Sequence, residues 1–303
     1  MHQRRISMAA LLTIVLLVFT HVAAAGNLSY LVSYGDSLSD NGNLYAAIGY
    51  PPSPYWNGRA SNGPVAVEYL SQSLALPLLD FAWFGATTGV GNDVDGGNQT
   101  TFGSHGLPGM QTQLAATQSS IAPIAAHSLF VVWGGPNDFL TNGFTATTAQ
   151  TAVSDLVGMV IQLQGLGATH IVVPGMPDIG LTPDYLGNAG ATQLSYYFNQ
   201  LLLAELPPGA TYVDIFGAMH QVVANPGAYG LTDVTDPCFN GVTVCSNPGQ
   251  YLFWDGFHPT THGHEIVASA IEQAAVPEPS SLLLLGGGVL CTANLLRRKL
   301  NAA

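Results

Sequence analysis

The chain has 303 residues, 48% of them hydrophobic, and carries 18 acidic residues against six basic ones, for a net charge of −12. Five of the six basic residues, Arg4, Arg5, Arg297, Arg298 and Lys299, sit at the two ends, which leaves Arg59 alone between them against every acidic residue except Glu278. A middle region this acidic repels phosphate backbones, so nucleic-acid binding is disfavoured, and its length of about 250 residues is enough for one substantial core.

In chain order, Arg4 and Arg5 precede an apolar run over 8–19 and the small residues Ala23, Ala24 and Ala25. That order predicts a secretory signal peptide over 1–25; the run is short of the about 20 residues of a membrane-spanning helix, the alternative reading. Residues 28–34 read as a strand that ends in Gly35-Asp36-Ser37, and 64–74 as a helix. Residues 78–83 and 129–133 are further strands, followed by Gly85 and by Gly134-Gly135. A long helix is expected over 147–166, with Val153, Leu156, Val157, Val160 and Ile161 as its apolar stripe. Residues 170–173 make a fourth strand, 191–205 a helix, 212–216 a fifth strand and 260–274 the last helix. Nearly continuous apolar strands alternating with amphipathic helices predict a parallel sheet covered on both faces. In such sheets ligands bind at the carboxyl ends of the strands, where Ser37, Gly85 and Gly134 to Asp138 all fall.

Two stretches lack periodicity. Residues 89–109, rich in Gly, Asn and Asp, read as a surface loop, and 227–252 as an irregular segment containing Cys238 and Cys245. In an exported protein that pair is the natural disulfide; a metal pair is the weaker reading, because the C-x6-C spacing suits no common zinc knuckle. The separation of the two Cα atoms decides whether the bridge closes. Residues 26–275 thus read as one domain. After it come Val276-Pro277-Glu278-Pro279, an apolar stretch over 280–296 that includes Cys291, and the terminal basic cluster.

Four segments carry chemistry. Ser37 stands at a strand-to-loop turn, where its hydroxyl is presented at the mouth of the sheet; a helix-capping serine is the plainer alternative. Asp255 and His258 are three residues apart, a spacing that in a helical turn puts carboxylate and imidazole on one side. The carboxylate then fixes the tautomer of the imidazole, whose other nitrogen is free to take a proton from a serine. Gly85, without a side chain, lets its N–H approach a reacting acyl oxygen, and the Asn137 amide can point at the same place. Singly, Gly85 and Asn137 are equally well read as turn residues. His258, His262 and His264 do not read as a metal site, since no Glu follows the first His as in the zincin pattern.

The strings GDSLSDNGN (35–43), FGATTG (84–89), GGPND (134–138) and DGFHPT (255–260) resemble, in this order, the four catalytic blocks of the GDSL or SGNH hydrolases. YWNGRASNGP (55–64) is similar to a segment of the lipase-like branch of that family. The resemblance implies a three-layer α/β/α sandwich with a flavodoxin-like parallel sheet. It also implies Ser37 as nucleophile, His258 as base, Asp255 as its partner, and an oxyanion hole made of Ser37, Gly85 and Asn137. It implies no cofactor and no metal. Two positions depart from the family pattern: Asp80 stands where Asn is usual and Phe84 where a first Gly is usual, which bears on substrate size. The tail over 276–303 resembles the PEP-CTERM sorting signal of some Gram-negative bacteria, which implies export and recognition by an exosortase-type membrane enzyme; an ordinary membrane anchor is the alternative. The expected activity is hydrolysis of lipid or short acyl esters. The alternatives are an extracellular polysaccharide O-acetyl esterase and a surface or binding protein on an inactive hydrolase scaffold.

Overall fold

In the computed structural model, which describes residues 28–275, the apolar runs line up as one parallel sheet. The expected leader and the sorting tail lie outside the described residues. Strands β1 (Tyr30–Gly35), β2 (Leu78–Asp80), β3 (Ser128–Trp133), β4 (His170–Pro174) and β5 (Ala210–Val213) stand in the order β2-β1-β3-β4-β5. Every neighbouring pair is parallel. This is the flavodoxin-like order, whose topological switch lies between β1 and β3. Val32 pairs with Phe130 and Gly35 with Trp133, so both strands release their chains at the same level.

Alternation along the strands sorts the core into two layers. Val32, Tyr34, Phe130 and Val132 face one side, where they pack with Met110 and Leu114 of α3 (Met110–Ile121), Leu156 of α5 (Ala146–Gly165) and Phe198 of α6 (Ala189–Glu205). Leu31, Leu129, Val131 and Trp133 face the other side, against Leu70 of α2 (Ala66–Leu74), Ile215 of α7 (Ile215–Ala224) and Ile271 of α8 (Thr261–Ala275). Every residue of β3 is buried, which is why its sequence is apolar without alternation from Leu129 to Trp133. The result is the expected three-layer sandwich. Two short helices, α1 (Asn43–Ile48) and α4 (Pro136–Asn142), follow β1 and β3 on the side where the strands end.

Differences from the sequence reading have local causes. The expected strand over 78–83 is regular over Leu78–Asp80 only, although Phe81 and Trp83 still donate to the carbonyls of Ser33 at 2.8 Å and Gly35 at 3.1 Å; between them the N–H of Ala82 turns to the Asp80 carboxylate at 3.1 Å. The fifth strand ends at Val213 rather than 216, because Asp214 caps α7 by accepting the N–H of Gly217 at 2.9 Å. The stretch read as irregular contains a small parallel pair, β6 (Asp233–Pro237) and β7 (Tyr251–Phe253). Cys238 and Cys245 are bonded, with Cα atoms 4.8 Å apart.

Candidate active site

Ser37 leaves the sheet at the topological switch. Gly35 precedes it because a Cβ there would lie 2.5 Å from the carbonyl oxygen of Trp133, its register partner on β3. The Gln113 side chain clamps the same residue, accepting its N–H at 3.2 Å and donating to its carbonyl at 2.9 Å. The carbonyl of Asp36 then takes the N–H groups of Ser39 and Asp40, and its carboxylate takes that of Leu38. The tight turn holds Ser37, only 5% exposed, at the strand end. Its own N–H has no protein acceptor among the described residues.

Asp255 and His258 come together through an Asx-type turn after β7, not through a helical turn as the spacing predicts. Asp255 Oδ1 accepts the N–H groups of Phe257 at 2.8 Å and His258 at 2.7 Å, and the carbonyl of His258 accepts the N–H of Trp254 at 2.7 Å. This folds the imidazole back onto the carboxylate, with Nδ1 2.8 Å from Oδ2. A proton on Nδ1 follows from that contact. It leaves the lone pair of Nε2 facing Ser37 Oγ at 2.9 Å. Burial pushes the Asp255 carboxyl up, but the charge and hydrogen bonds of His258 outweigh it and hold its pKa at about 2. Burial pushes His258 down, and the carboxylates of Asp255, Asp36 and Asp184 more than reverse this, for a net rise. Asp36, 1% exposed and with no partner on Oδ2 among the described residues, is itself raised to about 7 by burial.

Three N–H donors stand at the ends of the neighbouring strands. Gly85 follows β2 with a φ of 80°. A Cβ there would lie 2.6 Å from both Asn92 Oδ1 and Val94 Cγ2. The peptide between Phe84 and Gly85 is held by its carbonyl, which accepts the Asn92 amide at 2.8 Å. The N–H of Phe84 donates to Asp40 Oδ2 at 2.7 Å, and the carbonyl of Gly85 accepts the N–H of Asp93 at 2.8 Å. The N–H of Gly85 is left without a protein acceptor among the described residues. Asn137, 8% exposed near the start of α4, donates one amide hydrogen to the carbonyl of Ala86 at 3.0 Å and keeps the other. Its neighbour Asp138 is buried and accepts the N–H and hydroxyl of Thr88, which ties α4 to the segment after Gly85. Burial raises the Asp138 carboxyl to about 7.

Several of these supports escaped the sequence reading. Asn92 belongs to the stretch expected to be a surface loop, yet it is fully buried as a strap over Gly85. Asp40 lies inside the first block and gathers four backbone N–H groups, from Gly42, Asn43, Leu44 and Phe84. Tyr55 donates its hydroxyl to Asp255 Oδ2 at 2.8 Å, from 200 positions away. The other two histidines turn elsewhere: His262 Nε2 donates to the carbonyl of Tyr229 at 2.7 Å, and His264 Nδ1 accepts the N–H of Ala66 at 3.3 Å. Burial lowers the pKa of His264 to about 3, so it is a neutral acceptor at the start of α2. Arg59 is engaged by Glu68 at 2.7 Å and lies over the ring of Trp56.

The surroundings are aromatic and apolar. The Phe84 ring lies 5.3 Å from the His258 ring, with Tyr50 edge-on behind it at 5.5 Å. An apolar pocket lies against α7 and α8, lined by Leu38, Ile215, Met219, Phe257, Pro259 and Ile266 among others, with no triad side chain in its wall. Leu38 and Phe257 are the chain neighbours of Ser37 and His258.

Comparison with known proteins identifies the family. Residues 31–271 match the family model of the GDSL-like lipase/acylhydrolases, and residues 275–299 match the PEP-CTERM protein-sorting motif. A GDSL esterase/lipase of Arabidopsis thaliana is 27% identical over 88% of this chain and 92% of its own length. A phosphatidylcholine-sterol acyltransferase of Aeromonas hydrophila is 31% identical over 71% of this chain and 67% of its own. Among solved structures, an alpha/beta hydrolase from the metagenome of Lake Arreo superposes with a TM-score of 0.49 at 15% identity, over 82% of this chain and 94% of that one.

Proposed function

The chain belongs to the GDSL-like lipase/acylhydrolase family, and on that premise we propose that it is an exported serine hydrolase that cleaves carboxylic esters through an acyl-enzyme. The observation that carries this reading is the 2.9 Å approach of Ser37 Oγ to His258 Nε2, with Nδ1 anchored on Asp255. His258 takes the proton of Ser37 as Oγ attacks the acyl carbon. The charge that develops on the acyl oxygen is met by the free N–H groups of Ser37 and Gly85 and by the second amide hydrogen of Asn137. Each such donor is worth about 10²–10³ in rate. The protonated His258, stabilised by Asp255, then gives its proton to the leaving alkoxide. Water attacks the acyl-Ser37 ester with His258 again as base, and the acid leaves. These steps need no cofactor.

The apolar pocket is lined by chain neighbours of the triad, Leu38 and Phe257, but by no triad or oxyanion side chain, so the support for a lipid or other acyl ester comes from the family rather than from that pocket. The name of the Aeromonas relative supports the same substrate class. A second reading, an O-acetyl ester of an extracellular polysaccharide, is favoured by Phe84 and Tyr50. Their rings wall the His258 side, where the leaving alcohol stands, and a sugar ring can stack there. The tail motif supports export and handling by an exosortase-type enzyme at the membrane.

The test is turnover of p-nitrophenyl esters from acetate to palmitate, with fluorophosphonate labelling, for the wild-type chain and Ser37→Ala. Turnover and labelling lost together in the variant support the reading, and the preferred chain length separates the two substrates. Unchanged turnover in Ser37→Ala overturns it.

A further inference from the structure

We propose that Tyr55 is a positioning residue of this site, whose hydroxyl orients the Asp255 carboxylate and tunes the proton affinity of His258; the inference rests on the hydrolase reading above. A carboxylate has four lone-pair positions. On Asp255 they are taken by the N–H groups of Phe257 and His258 on Oδ1, and by His258 Nδ1 and the Tyr55 hydroxyl on Oδ2. Three of those four donors belong to the 255–258 turn itself. Among the described residues Tyr55 alone comes from elsewhere in the chain, so it ties the carboxylate to the body of the domain.

The phenol is held in place independently of that hydrogen bond. Its ring meets Phe239 edge-on at 5.8 Å and Trp254 edge-on at 6.2 Å, and Phe239 stacks on Trp254 at 5.7 Å. Phe239 follows Cys238, whose disulfide to Cys245 closes the loop, and its N–H donates to the carbonyl of Trp254 at 2.6 Å. Further along the same segment, Ser61 donates to the carbonyl of Pro259 at 2.9 Å, and Asn62 accepts the N–H of Thr261 at 2.8 Å. Removing only the hydroxyl therefore leaves ring and backbone where they are.

The chemical consequence has a definite sign. A neutral donor on Oδ2 spreads the negative charge of Asp255 and weakens its hold on the imidazolium. Without that donor the carboxylate holds the imidazolium harder, and His258 gives up its proton at higher pH. The carboxylate is also freer to rotate, which costs turnover but not substrate binding, since Tyr55 is placed on Asp255 and not on the reacting Ser37.

The experiment uses the full chain in three forms: wild type, Tyr55→Phe and Tyr55→3-fluorotyrosine, the last a stronger donor. The titration of His258 is followed by NMR of its ring protons, and kcat and KM for p-nitrophenyl acetate are measured against pH. The expected result is an upward midpoint shift of roughly half a pH unit in Tyr55→Phe, with kcat about tenfold lower and KM unchanged, and a downward shift in the fluorinated variant. Loss of packing cannot move the two midpoints in opposite directions. Midpoints that stay fixed, or that move the same way in both variants, overturn the proposal. Should the wild type turn over no ester while the two midpoints still move oppositely, the hydrolase reading fails and the role of Tyr55 on Asp255 stands.

Discussion

Replacing Gly85 by Ala tests the oxyanion assignment with a single methyl group. Gly85 has a φ of 80°, a region where a Cβ costs about 1–2 kcal/mol. The new methyl would sit 2.6 Å from Asn92 Oδ1 and Val94 Cγ2, so the strap over the Phe84 carbonyl must shift. Crowding of that kind adds about 1–3 kcal/mol. Together these lower the melting temperature by roughly 4–20 °C, at about 2–4 °C per kcal/mol for a domain of this size. The effect on rate is larger. Asn92 holds the carbonyl end of the peptide whose other end is the Gly85 N–H, so moving Asn92 re-aims the donor. Loss of one oxyanion donor lowers kcat by about 10²–10³. KM should hardly change, because the interaction forms only as charge develops on the acyl oxygen. The assay is kcat and KM on p-nitrophenyl acetate well below the melting point of the variant, with Asn92→Ala alongside. The second variant frees the Phe84 carbonyl without adding a methyl group at 85, and its kcat should fall about tenfold, less than that of Gly85→Ala. A folded Gly85→Ala protein with kcat within about threefold of wild type refutes the assignment.

Two further outcomes follow from the buried charges. His258 must be neutral to accept the serine proton, and its pKa is raised above the ordinary 6.5, so kcat/KM should climb with pH to a midpoint above that value; a plateau already reached at about pH 6 would contradict the environment described for His258. Asp80 and Asp40 are neighbouring carboxylates behind the Ser37 turn; burial raises both, and the nearby Asp40 raises Asp80 further. Asp40 accepts four backbone N–H groups and is the charged member, so Asp80 is the one that keeps its proton. A carboxyl whose folded pKa is raised stabilises the fold below its unfolded pKa and loses that contribution as pH rises through the folded one. Asp80→Asn gives up one acceptor of a backbone N–H and starts from a lower melting temperature in acid, but its stability relative to the parent should improve steadily as pH rises above about 4; a difference independent of pH would show that Asp80 is not the protonated member.

The parts of the site that were legible in the sequence are those whose job is met within a few residues. Ser37 follows β1 by two residues, Asp255 and His258 share one turn, and Gly85 and Asn137 come within a few residues of the ends of β2 and β3, so short strings carry them. Their supports act across the chain. Tyr55 meets Asp255 from 200 positions away, and Asp40 meets Phe84 from 44, distances at which neither periodicity nor spacing holds any signal. Asn92 hid for another reason: the Gly-rich stretch around it has the composition of a solvated loop. Its glycines are there so that backbone can pack on backbone, as where a Cβ on Gly89 would lie 2.1 Å from the carbonyl oxygen of Gln99. The same logic explains the fold. Strand β3 was readable because both its faces are buried, whereas the ends of β2 and β5 were not, because the Asp80 carboxylate takes the N–H of Ala82 on the side away from β1 and Asp214 starts α7 by accepting the N–H of Gly217. Where a carboxylate substitutes for a backbone partner, hydrophobic pattern no longer decides where an element ends. In this chain one such place, Asp80, also adjoins the turn that presents Ser37, since it holds the N–H of Asn41 at 2.9 Å.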